Sequence, residues 1–174
     1  MNEISKKSMK DSLQIGLDMV TTDKKKLKEN LDHLYYYNGS CYYLSRRNIM
    51  KTFSLSNEFC KNIGTNNFSR LYEFKNLNEY EYLVNRTKKV FDKIPEKYVS
   101  YYIGMNTKAD KGIHWSSGRD LTKFEEQIVF FNQTPVSYPH TNCFAMNIQG
   151  DPAVYSIMPT HCGAPNGFIC KFGK

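Results

Sequence analysis

The sequence predicts an α+β fold, and three observations carry that expectation. Tyr (13) and Phe (11) dominate the core-forming residues of the 174-residue chain, and aromatics favour pleated, half-buried surfaces over a Leu/Ala bundle. Two amphipathic helical patterns follow one another between residues 51 and 94, with strand-like runs before and after them. Five dispersed cysteines contain no CxxC pair, which argues against a zinc ribbon or a redox centre and for disulfide staples with one thiol left over.

The elements follow in order. From Leu13 an apolar stripe steps by four and three through Leu17, Val20, Leu27, Leu31 and Leu34, interrupted only by Lys24. It reads either as three coiled-coil heptads or as one amphipathic helix packed on its own domain. The texture changes at Tyr35, so residues 1–34 are read as a partly helical stalk and 35–174 as one domain. Within it "CYYLS" reads as a strand and "RRN" as a turn. "KTFSLSNEFCKNIG" reads as a helix capped by Thr52 or Ser54 and stopped at Gly64. "NLNEYEYLVNRTKKVFDKI" reads as a second helix, with Leu77, Tyr80, Leu83, Val84 and Phe91 near helical spacing and Pro95 beyond its end. "YVSYYIGM" is a strand, residues 106–141 are loop-like, and "CFAMNI", "PAVYSI" and "GFICKF" are closing strands.

Charge excludes some function classes. The net charge is +7, yet the seven lysines of residues 1–34 stand among six acids and the remaining excess is scattered, so no nucleic-acid footprint emerges. No apolar run reaches the length of a membrane span, so membrane anchoring would come only from a segment outside this chain. His140 and His161 lie near Cys143 and Cys162 without the paired short spacing that zinc requires, and no metal or cofactor is expected. Four glycosylation sequons, at Asn38, Asn67, Asn85 and Asn132, point to an extracellular chain.

Several motifs, in order, resemble the C-type lectin-like domain from about Leu31 to Phe172. They are "NGSCYYLS", "KTFSLSNEFC" with Phe53 in place of a Trp, "LYEFKNLNEYEYL", "YIGM" with Tyr102 in place of a Trp, "HWSSG" and "NCFAM…HC…GFICK". The resemblance implies the pairs Cys60–Cys170 and Cys143–Cys162, and a structural Trp115. It leaves Cys41 without its usual partner, because Asn30 stands where long-form members carry a cysteine. Cys41 is then a free thiol or an interchain bond beside the stalk.

Sugar-binding members coordinate Ca²⁺ through an acceptor-Pro-acceptor triplet and a later Trp-Asn-Asp. Here Thr134 and Val136 flank Pro135, and "AVYSIMPT" contains no Asn or Asp, so calcium-dependent sugar binding is not expected. Glu125 and Glu126 read as a solvated acidic pair. Members lacking these ligands resemble natural-killer-cell receptors and their ligands, including viral mimics. They bind proteins, often as dimers, as ectodomains of type II membrane proteins. The resemblance therefore implies a non-catalytic cell-surface protein binder that can dimerise through the stalk and Cys41. Phe124, Phe130, Phe131, Tyr138 and His140 are its candidate ligand contacts. The alternatives are a secreted form and a glycan binder with a non-standard site.

A papain-type protease is the competing class. Gly-Ser-Cys-Tyr around Cys41 resembles its nucleophile motif, but Tyr35 stands at the oxyanion glutamine and Asn38 at the preceding cysteine. The segment after Cys41 also reads as a strand, whereas that nucleophile needs a helix N-terminus and a histidine base.

Overall fold

The computed structural model describes residues 33–46, 48–63, 69–92, 98–108, 112–130, 142–150 and 153–173. The stalk stripe therefore lies outside the described residues apart from Leu34, and so do Asn67 and Asn132. Leu34 itself opens a strand. β1 (Leu34–Tyr37) and β2 (Ser40–Leu44) form a hairpin in which Tyr36 opposes Cys41. Its two-residue turn has positive φ at both positions, 45° at Asn38 and 84° at Gly39, the type I′ geometry that matches strand twist.

Helix α1 (Phe53–Ile63) is capped by Thr52, whose Oγ1 accepts from the Leu55 N–H at 3.4 Å, and it buries Ser56, Cys60 and Ile63. After the two-residue β3 (Arg70–Leu71) comes α2 (Leu77–Phe91). Its start is closed reciprocally. Asn76 Oδ1 accepts from Glu79 N at 3.0 Å, and Glu79 Oε2 accepts from Lys75 N at 3.1 Å. Glu79, Leu83, Thr87 and Phe91 form the buried stripe at fourfold spacing. Leu77, expected on that stripe, is 44% exposed because it precedes the stripe by half a turn.

The remaining elements are β4 (Tyr98–Lys108), β5 (Gly112–Trp115), α3 (Lys123–Phe130), β6 (Asn142–Gln149), β7 (Val154–His161) and β8 (Gly167–Gly173). β5 and α3 correct the expectation that residues 106–141 are loop throughout. β5 exists by pairing with an overlong β4, and α3 is capped by Thr122 Oγ1, 3.3 Å from Glu125 N.

The main sheet runs β1-β2-β8-β4-β6-β7, with β3 on β8 and β5 on β4; all pairs are antiparallel except β4 with β8. Alternation along the strands makes two cores. On one face α2 places Leu83 and Phe91 against Val99, Tyr101, Ile103, Phe144, Met146, Ile148 and Ile157. On the other, α1 sets Cys60 and Ile63 against Tyr43, Tyr102, Ala145, Phe168 and Cys170. Disulfides join Cys60 to Cys170, tying α1 to β8, and Cys143 to Cys162, tying β6 to the end of β7.

Candidate functional site

The segment after β4 is hung on the core by charged side chains. Trp115 is fully buried, edge-on to Phe74 at 5.0 Å between ring centroids, with the Arg119 guanidinium 5.3 Å from its ring. Arg119 makes a two-pronged pair with Glu125 at 2.7 and 3.0 Å and also donates to the Phe74 carbonyl at 3.2 Å. Thr122 N donates to the same Glu125 carboxylate at 2.7 Å. Burial raises the Glu125 pKa, but Arg119 and the Thr122 N–H outweigh it and hold the carboxyl below its ordinary value. From the core side, the buried Glu73 accepts from Ser117 N at 2.9 Å and Ser117 Oγ at 2.8 Å. Glu125 is thus no solvated acid. It is 1% exposed and tied up, while Glu126 faces solvent.

The expected contact residues fare unevenly. Phe124 is half-buried and packs from α3 on the α2-side core. Phe130 ends α3, and nothing is described of its side chain; Phe131, Tyr138 and His140 lie outside the described residues. Asn38 and Asn85 are both exposed, in the β1–β2 turn and on α2. Cys41 is unbonded and half-buried, with Tyr36 and Phe172 as its cross-strand neighbours, and burial pushes its thiol up. A thiol at mid-strand with a raised pKa is the opposite of an activated nucleophile. Tyr102, in the place of an expected tryptophan, stacks edge-on with Phe53 at 5.5 Å. Its hydroxyl lies within 2.8 Å of the His161 carbonyl and 2.7 Å of the Ala164 carbonyl.

A second surface was not foreseen. Along β4, β6 and β7, the half of the sheet face that α1 leaves open carries Tyr98, Ser100, Asn147, Gln149, Val154, Ser156 and Met158. Each strand's alternation is visible in the sequence, but the register that gathers the three into one face is not.

Two helices on opposite faces of one sheet stapled by two disulfides, with an irregular segment clamped at its end, make up this α+β domain. The profile of the lectin C-type domain matches residues 49–172, and the chain belongs to that family. No curated protein matches the sequence significantly. The C-type lectin domain of murine dendritic cell inhibitory receptor 2, solved in complex with N-glycan, superposes with a TM-score of 0.62 at 13% identity, covering 82% of this chain and 97% of that one. Human lithostathine gives 0.60 at 20% identity, over 82% and 98% of the two chains. EMS16, an antagonist of the collagen receptor integrin alpha2beta1, gives 0.54 at 18%, over 82% and 98%. At these identities the likeness is one of fold. The family's domains are typically extracellular, and two disulfides suit an oxidising compartment.

Proposed function

We propose that this domain recognises a protein ligand outside the cell, as the ectodomain of a type II membrane protein, and does so without calcium-coordinated sugar. One observation carries the reading: among the described residues, β7 lacks carboxylate and carboxamide donors and the buried acid of α3 is occupied. β7 offers Val154, Tyr155, Ser156, Ile157, Met158, Pro159, Thr160 and His161, none a carboxylate or carboxamide, and Glu125 is held by Arg119. Among the described residues no group of three or more His, Cys, Asp or Glu is placed to hold a metal. Glycans are assigned to the sequons at Asn38, Asn67, Asn85 and Asn132, of which Asn38 and Asn85 are exposed among the described residues.

Thermal unfolding and calorimetric titration with millimolar Ca²⁺ or with EDTA test the calcium claim. The expected result is no binding heat and an unchanged Tm; a Ca²⁺-dependent rise overturns it. An array of extracellular protein domains tests the ligand class, alongside a glycan array read with and without chelator. Chelator-resistant glycan binding would replace the protein reading with a non-standard sugar site. Dimerisation through the stalk and Cys41 belongs to the same proposal, and mass spectrometry of the unreduced protein decides whether Cys41 joins two chains.

A further inference from the structure

The tip of the β1–β2 hairpin brings a glycosylation sequon against a shelf of tyrosines. Alternation along β1 turns Tyr35 and Tyr37 to the α2 side of the sheet, where both pack on its core. There the Tyr37 ring stacks on Tyr82 of α2, with centroids 4.5 Å apart and planes inclined by 22°. The Tyr82 hydroxyl donates to the Tyr36 carbonyl at 2.9 Å, which ties α2 to the strand. Arg86, one turn further along α2, lies 5.0 Å from the Tyr82 ring and 5.6 Å from that of Tyr35. Tyr35, Tyr37 and Tyr82 are all half-buried, so the shelf keeps part of its surface open to solvent.

Asn38 follows Tyr37 directly and is exposed, at the first central position of the type I′ turn. With Gly39 and Ser40 it forms the sequon Asn-Gly-Ser, and Ser40 stands opposite Tyr37 in the hairpin register. Ser40 is 3% exposed in the folded domain, so the sugar is added before the hairpin closes.

The chemistry of the shelf selects its occupant. The face of a tyrosine ring is electron-rich, and one face of a β-linked N-acetylglucosamine presents a cluster of polarised C–H bonds that such a ring attracts. A free sugar gains little from one contact of this kind. A sugar already bonded to Asn38 loses little freedom on docking, because its tether holds it within about one side-chain length of Tyr37. We propose that the first sugar of an N-glycan on Asn38 docks on Tyr37, at the edge of the Tyr37–Tyr82 stack, and clamps the hairpin tip to α2. The inference rests on the extracellular reading, which supplies the glycan. It also gives the glycan a second effect: β1 is the terminal strand of the main sheet, and a sugar over its end keeps another strand from adding there.

The test is thermal unfolding of the full chain, secreted from glycosylating cells behind an added leader, with occupancy of each sequon read by mass spectrometry. Asn38→Asp removes the glycan with a residue that tolerates the positive φ of the turn. It is expected to lower the Tm of the secreted chain by about 2–4 °C, the shift that one aromatic contact produces in a domain of this length. In the same chain made without glycans it changes the Tm by less than about 1 °C. Tyr37→Leu erases the glycan-dependent shift and Tyr37→Phe keeps it, whatever either does to the starting Tm, because the quantity read is a difference of differences. Asn85→Gln, which removes the glycan three residues beyond Tyr82, leaves the Tm unchanged. Should Tyr37→Leu fold poorly, the unaltered chain gives a second readout: in NMR spectra the ring current shifts the C–H protons of the Asn38 sugar upfield of those on the other sequons.

A glycan-dependent shift that survives Tyr37→Leu overturns the inference, as does no shift and no ring-current effect in a chain occupied at Asn38, or a shift that follows Asn85→Gln instead. All three leave the extracellular reading standing. A secreted chain bare at Asn38 and filled at other sequons overturns the inference alone, and one bare at all four overturns the extracellular reading with it.

Discussion

Glu79 shows how much one residue can organise. Its Oε1 accepts from the Tyr42 hydroxyl at 2.8 Å and from Lys171 Nζ at 2.5 Å, while Oε2 closes the start of α2. Burial pushes the Lys171 ammonium below its ordinary value against the pull of Glu79. Removing one partner of such a buried pair strands the other charge, so Lys171→Met is expected to cost about 3–5 kcal/mol in urea unfolding. The double variant with Glu79→Gln should cost less than the sum of the two. The pH dependence also sits at this scale. Burial raises the phenols of Tyr42, Tyr72 and Tyr101, that of Tyr101 to about 12. Above pH ~10 the unfolded phenols ionise first and the folded state binds more protons, so stability is intact below that pH and falls as pH climbs toward 12. Glu125 acts in the other sense. Its folded pKa lies below the ordinary value, so its contribution is present above about pH 4.5 and is lost as pH falls through the folded pKa. Urea midpoints across pH 3–11.5 check both limbs; a flat alkaline limb would show that the phenols ionise within the fold.

At the scale of elements, the two long helices are encoded locally. Both long helices announced themselves through apolar spacing, and α1 also through its Thr52 cap; the Asn76 cap of α2 came only with the structure. The β1–β2 hairpin had its own signal in "YYYNGSCYY", an Asn-Gly turn between aromatic runs, which the leucine stripe ending at Leu34 obscured. β5 had no such local signal, because its four residues are stabilised by β4; α3 had one, the Thr122–Glu125 capping box, but its eight residues also lean on Arg119 and the core. Gly167 tests an element contact that only the fold creates. A Cβ there would lie 2.8 Å from Tyr101 Cδ1 and 3.0 Å from the Ser100 carbonyl, where β8 runs parallel to β4. Gly167→Ala should therefore cost about 1–3 kcal/mol, read as a lowered urea midpoint with unchanged m-value.

Across the whole molecule the two disulfides differ in reach. Cys60–Cys170 closes 110 residues and Cys143–Cys162 closes 19. In the chain-entropy account their removal costs about 4–5 and about 3 kcal/mol. Replacing each pair by serine should lower the melting temperature more for the first, and an inverted order would show that unfolded-state structure outweighs loop length. The long bridge also fixes α1 over the centre of its sheet face, with two consequences for recognition. It leaves the uncharged half-face of β4, β6 and β7 open, and at the opposite edge it leaves Cys41 only half covered between Tyr36 and Phe172.

By itself the sequence determined the fold class, the family resemblance, the two helices and the lack of carboxylate and carboxamide side chains in β7, because caps, periodicity and residue type are local properties. The candidate site was less legible. The packing of Phe124 on the core was not legible, and Glu125 looked solvated and is buried against Arg119. Only the tertiary structure decided those two, and only it assembled Tyr98, Asn147 and Val154 into one uncharged surface. Burial, ion pairing and strand register depend on contacts between segments up to about a hundred residues apart, and no local pattern encodes which of them meet.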